Sequence, residues 1–121
     1  MTDAPGNTAP SIDLRLLAQR HGAMTPLWAE QSADFHMNLV SFKPGTGVGE
    51  HVNGELDVLL VGVAGEGEVV IDGVPHSLRS GQAILVQKGA RRAIRCLEEA
   101  FSYLSCHRRR ALLWPARRAE P

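Results

Sequence analysis

The stretch Gly47–Gly73, GVGEHVNGELDVLLVGVAGEGEVVIDG, decides the fold. Its second part, from Leu56 on, is nearly continuous in apolar residues and reads as two strands joined at Ala64–Gly67. Asp72–Gly73 closes it with a hairpin-type turn. Its first part raises a chemical question. His51 opens what has the spacing of a metal-ligand cluster, yet the polar residues that follow it are Asn53 and Asp57.

Working outward, the same pattern continues in both directions. Upstream, DFHMNLVSF alternates from Phe35, and KPGTGVG breaks it at Pro44–Gly45. Downstream, VPHSLRSGQ is a short strand ending at Ser80–Gly81, and AILVQKGARRAIRCL gives two more around Lys88–Gly89. FSYLSCHRR is the last, with a tight turn at Glu98–Glu99 expected to join it to the strand before. Many short strands, with turn signals every eight to ten residues, predict an antiparallel sandwich or barrel. There is no strand–helix alternation and no internal repeat. The run Gly45–Gly49 reads as a turn with no following helix, so it is not a phosphate cradle. Before the strands, residues 1–10 carry Pro5, Gly6 and Pro10 and read as disordered. Ser11 is placed to cap a short helix, IDLRLLAQRHG, that ends at Gly22. The expected organisation is an N-terminal extension with a short helix over residues 1–34, a β-barrel over 35–107, and a basic tail over 108–121.

At 121 residues the chain suits one domain with a single core. No apolar run approaches the roughly 18 residues of a membrane span, and MTDAPGNTAP does not have the make-up of a secretory signal. A cytoplasmic protein without membrane contact is the expectation. The two thiols, Cys96 and Cys106, fit a reducing compartment. A hairpin at Glu98–Glu99 would set Cys106 opposite residues near Arg92, so no disulfide is expected.

Net charge is zero but unevenly spread. Residues 1–78 hold 10 acids against 3 Lys or Arg (−7), and residues 79–121 hold 10 Lys or Arg against 3 acids (+7). No aromatic residues interleave the arginines as in single-strand binders, which argues against nucleic acid. The two halves are better read as interleaved in one barrel, or as complementary across a homodimer. In the tail HRRRALLWPARRAEP, Leu112, Leu113 and Trp114 are suited to packing on the barrel or on a partner subunit.

With the residues set out this way, the chain resembles the cupin superfamily, whose two sequence boxes lie on the strands of a double-sheet jelly roll. In the first box Gly45 and His51 match, with Pro44 before them, while Asn53 stands where a second histidine belongs. In the second box Gly81 and Gly89 match, Gln87 replaces the proline, and Arg92 occupies the histidine position. The resemblance covers roughly residues 35–107. It implies an all-β jelly-roll barrel, and it implies a metal site whose ligands this chain has altered. The carboxylate of the first box falls on Asp57 by one count and on Val58 by another.

Asn53 is a weak ligand for first-row divalent ions, and the guanidinium of Arg92 cannot coordinate at all. A site rebuilt from His51, Asp57 and His107 or His36 stays open, while His21 and His76 read as surface residues. Arg92 inside a barrel mouth needs an anionic partner. That partner is either Asp57 or Glu55, or the carboxylate or phosphate of a ligand. Two functions follow. The first is a barrel that binds a small, anionic molecule through His51, Asn53 and Arg92, over an apolar floor of Val58, Leu60, Ile84 and Val86, with no cofactor or only a weakly held divalent metal. The alternative is a metal-dependent dioxygenase, isomerase or cyclase with an altered ligand set centred on His51 and Asp57.

Overall fold

In the computed structural model, residues 11–20, 26–97 and 99–109 are described. A one-turn helix, α1 (Leu14–Leu17), precedes nine strands: β1 (Trp28–Gln31), β2 (Phe35–Phe42), β3 (Gly47–Val52), β4 (Val58–Ala64), β5 (Glu66–Ile71), β6 (Val74–Arg79), β7 (Ala83–Val86), β8 (Arg91–Cys96) and β9 (Phe101–Arg108). They form a five-stranded sheet, ordered β1-β2-β9-β4-β7, and a four-stranded sheet, ordered β3-β8-β5-β6. Every pairing is antiparallel. The expected jelly roll is the observed architecture.

The core lies between the sheets, because each strand turns alternate residues to one face. Val58 and Leu60 of β4, Val69 of β5, Leu78 of β6, Ile94 and Cys96 of β8, and Phe101 and Tyr103 of β9 pack there. A second, smaller cluster lies on the outer face of the five-stranded sheet, where Ala18 after α1 covers Leu39 and Val63. The helix is shorter than its sequence suggests. Asp13, not Ser11, is the cap, its Oδ1 accepting from the amide of Leu16 at 3.0 Å. Gly22, the expected stop, and residues 1–10 lie outside the described residues.

Three further expectations are corrected. Strand β1, upstream of Phe35, adds to the edge of the five-stranded sheet by pairing Trp28 with Leu39 through Gln31 with His36. Gly47 and Gly49 belong to strand β3, leaving Gly45, at φ +80°, as the turn residue. Most consequential, β8 and β9 do not form a hairpin: β8 pairs with β3 and β5, and β9 with β2 and β4. The chain changes sheet between them, so Ile94 and Phe101 face the same core from opposite sides. Gly67 of β5 makes room for this crossing, since a Cβ there would collide with the Phe101 ring. Cys96 and Cys106 consequently sit in different sheets, and both are free thiols.

Candidate functional site

The two sheets end together at one rim of the barrel. On the five-stranded sheet, His107 is paired with both His36 and Val58, and Val58 with Val86. Directly paired residues share a face, and Val58 and Val86 belong to the core, so His107 and His36 turn inward as well. On the other sheet Arg92 lies two residues before the buried Ile94, which aims it inward too. His51 is paired with Arg92, and a bulge between Val48 and His51 keeps both Val48 and His51 on the inner side. Folding thus brings His36, His51, Arg92 and His107 to one mouth, from strands that are distant in sequence.

Three imidazoles ring that mouth. His36 and His107 stack with centroids 5.2 Å apart and planes inclined by 22°. Each ring is anchored through Nδ1: His36 to Gln31 Oε1 at 2.9 Å, His107 to the Arg108 carbonyl at 2.8 Å, and His51 to the Gly49 carbonyl at 3.2 Å.

Arg92 is the exceptional group. Its Nε and Nη1 are buried and have no hydrogen-bond partner among the described residues. Desolvation holds the guanidinium below its ordinary value, and the neighbouring Tyr103 offsets part of that. Even so an arginine stays protonated in this setting. Tyr103, 5% exposed, forms the floor beneath it and packs against Phe42 and Phe101. Burial pushes the Tyr103 phenol up to about 12, with the charge of Arg92 pulling the other way. Tyr103 did not figure among the sequence candidates. The alternation Phe101, Tyr103, Ser105, His107 carried the signal, but only a correct sheet assignment gives it meaning.

The remaining candidates point elsewhere. Asn53 Oδ1 accepts from the amides of Glu55 and Leu56, and its carbonyl accepts from Gly89, so it shapes the loop after β3. Asp57 is exposed, and its Oδ1 accepts from the amide of Lys88 at 2.8 Å. Val58, 2% exposed, turns inward in its stead. At this point of the chain the inward-facing residue is Val58 and not Asp57. As a donor set for a divalent cation, His51, an engaged carboxamide, a valine and a guanidinium do not fit. Among the described residues, no three His, Cys, Asp or Glu side chains gather closely enough to hold a metal ion. His76 is exposed on β6 and belongs to no such group, and His21 lies outside the described residues.

Next to the mouth, a cleft of about 400 Å³ crosses the outer face of the five-stranded sheet, with Phe35, Leu59, Leu85 and Cys106 in its walls, and it reaches His107. Among the described residues, no helix is long and apolar enough to cross a membrane.

A double-sheet jelly roll whose inner mouth is built from a His-bearing strand and a facing glycine-bounded strand defines the cupin class. Residues 38–106 match the cupin domain family, and the chain belongs to it. It is 33% identical over 105 residues to protein SchB of Streptomyces halstedii, covering 87% of this chain and 71% of that protein. Among solved structures it is similar to a Bacillus halodurans protein at 18% identity and a TM-score of 0.74, covering 88% of this chain and 85% of the other. It is also similar to KdgF from a Halomonas species, at 21% identity and a TM-score of 0.63, over 68% and 74% of the two chains.

Proposed function

We propose that this chain is a binding protein of the cupin family that takes a small, anionic molecule into the barrel mouth without a tightly held metal. The observation that carries the reading is Arg92, a permanent cation on the inner face with two buried guanidinium nitrogens that have no hydrogen-bond partner among the described residues. Leaving such donors unsatisfied costs about 1–3 kcal/mol, a cost that an anion accepting from them removes. His51, paired with Arg92 at the rim, faces the same ligand. The donor chemistry of the mouth supports this reading over metal-dependent catalysis, because the position that should add a ligand supplies a positive charge instead.

The reading includes a cytoplasmic location, which two free thiols suit, and a homodimer. A second copy is the occupant we assign to the outer cleft, whose apolar centre is bordered by Glu55 and Asp57 and by Lys88 and Arg108. Two acids and two bases on one patch complement themselves across a two-fold axis.

The test is metal content of the purified full chain, followed by titration of wild type and His51→Ala with Fe(II), Mn(II), Ni(II) and Zn(II). The expected result is no site tighter than about micromolar (about −8 kcal/mol) in either protein. Near-stoichiometric metal, lost on substitution of His51, would overturn the reading in favour of a metal-dependent enzyme.

A further inference from the structure

The chemistry of the inner wall narrows the ligand. We infer that it is an organic monocarboxylate with an apolar body, an inference that rests on the anion-binding reading above.

The first argument is a count of charges. The strand pairings sort residues into inner and outer faces, and among the described strand residues the inner face carries no Asp, Glu or Lys. Arg92 is its one permanent charge. The flanking arginines of β8 point outward: Arg91 lies 3.9 Å from Glu50 and Arg95 lies 4.0 Å from Glu68, with arginine side chains 60% and 61% exposed. A ligand with one negative charge is neutralised by Arg92. A phosphate monoester carries about −1.5 to −2 at neutral pH, and a dicarboxylate carries two charges. Either would bring an unpaired charge onto an apolar wall, which is costly.

The second argument is the wall itself. Ile71 is paired with Arg92 on its own sheet, and the five-stranded sheet turns Val58, Leu60, Ile84 and Val86 toward the same core, with Tyr103 as the floor. A sugar acid or other polyhydroxylated anion would find few hydrogen-bonding side chains there beyond the inward-facing pair Asn38 and Ser105. An alkyl or aryl body gains from burial against the same side chains. The stacked pair His36–His107 offers a flat, partly exposed surface on the opposite side of the mouth, suited to a planar body as much as to a chain.

The test uses the full chain, with calorimetry and thermal shift against octanoate, benzoate, acetate, succinate and inorganic phosphate. Octanoate or benzoate should bind at least tenfold more tightly than acetate, succinate or phosphate. Binding should fall at least tenfold in Arg92→Met and several-fold in Arg92→Lys, which keeps the charge but loses the planar fork. It should be unchanged in Arg95→Met, on the outer face of the same strand. Phosphate or succinate binding as tightly as octanoate, with the same loss in Arg92→Met, overturns the monocarboxylate assignment and leaves the anion-binding reading standing. No binding of any of the five anions, or binding indifferent to both Arg92 variants, overturns both. Circular dichroism and an unfolding midpoint for each variant separate lost binding from lost folding.

Discussion

His51 and Arg92 stand directly opposite one another on β3 and β8, and both face the inside of the barrel. In the family's metal sites these positions supply two imidazoles. Here one imidazole meets a guanidinium, and on the other sheet the inward-facing side chain is Val58 while Asp57 stays exposed. Four consequences can be measured.

Stability and binding should separate at Arg92. Its buried Nε and Nη1 have no partner among the described residues, so an apolar side chain of similar length removes a desolvation cost. Arg92→Met should be more stable than wild type by about 1 kcal/mol or more while losing anion affinity. Urea unfolding midpoints of the two proteins check this, and a clear loss of stability would show that the guanidinium is satisfied in the folded state.

Tyr103 is the chain's single tyrosine, so its ionisation can be followed by ultraviolet absorbance without ambiguity. The phenol is pushed up from 10.0 to about 12, first by burial, with Arg92 acting in the opposite direction. The neutral form is favoured in the folded state, so the stabilisation is complete below the unfolded value and declines as pH rises from about 10 to 12. The loss should be on the order of 2–3 kcal/mol. Tyr103→Phe should remove that part of the alkaline decline. Arg92→Met should move the tyrosine midpoint further up; an unchanged midpoint would mean that the charge is not felt at the floor.

Gly65 and Gly49 make a pair of opposite expectations. Gly65 has φ +72°, and a Cβ there would collide with the Ala100 carbonyl at the sheet crossing. Gly65→Ala should cost about 3 kcal/mol or more. Gly49 has nothing within 4 Å of an added Cβ and no positive φ, so Gly49→Ala should lie within about 0.5 kcal/mol of wild type or above it. Denaturant midpoints report both.

The outer cleft predicts an assembly. Phe35, Leu59 and Leu85 are 53%, 39% and 53% exposed on that face, an apolar patch of the kind that a partner covers. Sedimentation equilibrium should give a dimer for wild type and a monomer for Leu59→Glu, with the barrel's circular dichroism retained. A wild-type monomer at high micromolar concentration would remove the second copy as occupant.

Strand periodicity, turn glycines and the two glycine-bounded boxes were enough to specify a jelly roll from the amino-acid sequence, because alternation and turn chemistry are local. Gly65, Gly73, Gly81 and Gly89 all have the positive φ that such turns require. The substitutions at the box positions were equally visible, since Asn53 and Arg92 can be read off by counting. Which sheet each strand joins was not local. A tight turn before β9 reads as a hairpin, but the strand joins the other sheet, and its Phe101 ring packs against Gly67 across the core. That choice brings His107 beside His36 and Val58 rather than beside Arg92. Facing was also a tertiary matter at Asp57 and Val58, where a shift of one residue exchanges a carboxylate for a methyl-bearing wall. Burial settled it: the apolar side chain entered the core, and the charged one remained in water as a cap for Lys88. Sequence alone determined the barrel and the identity of the residues at its mouth. Tertiary structure decided which of them meet, because strand pairing and burial depend on contacts between segments far apart in the chain.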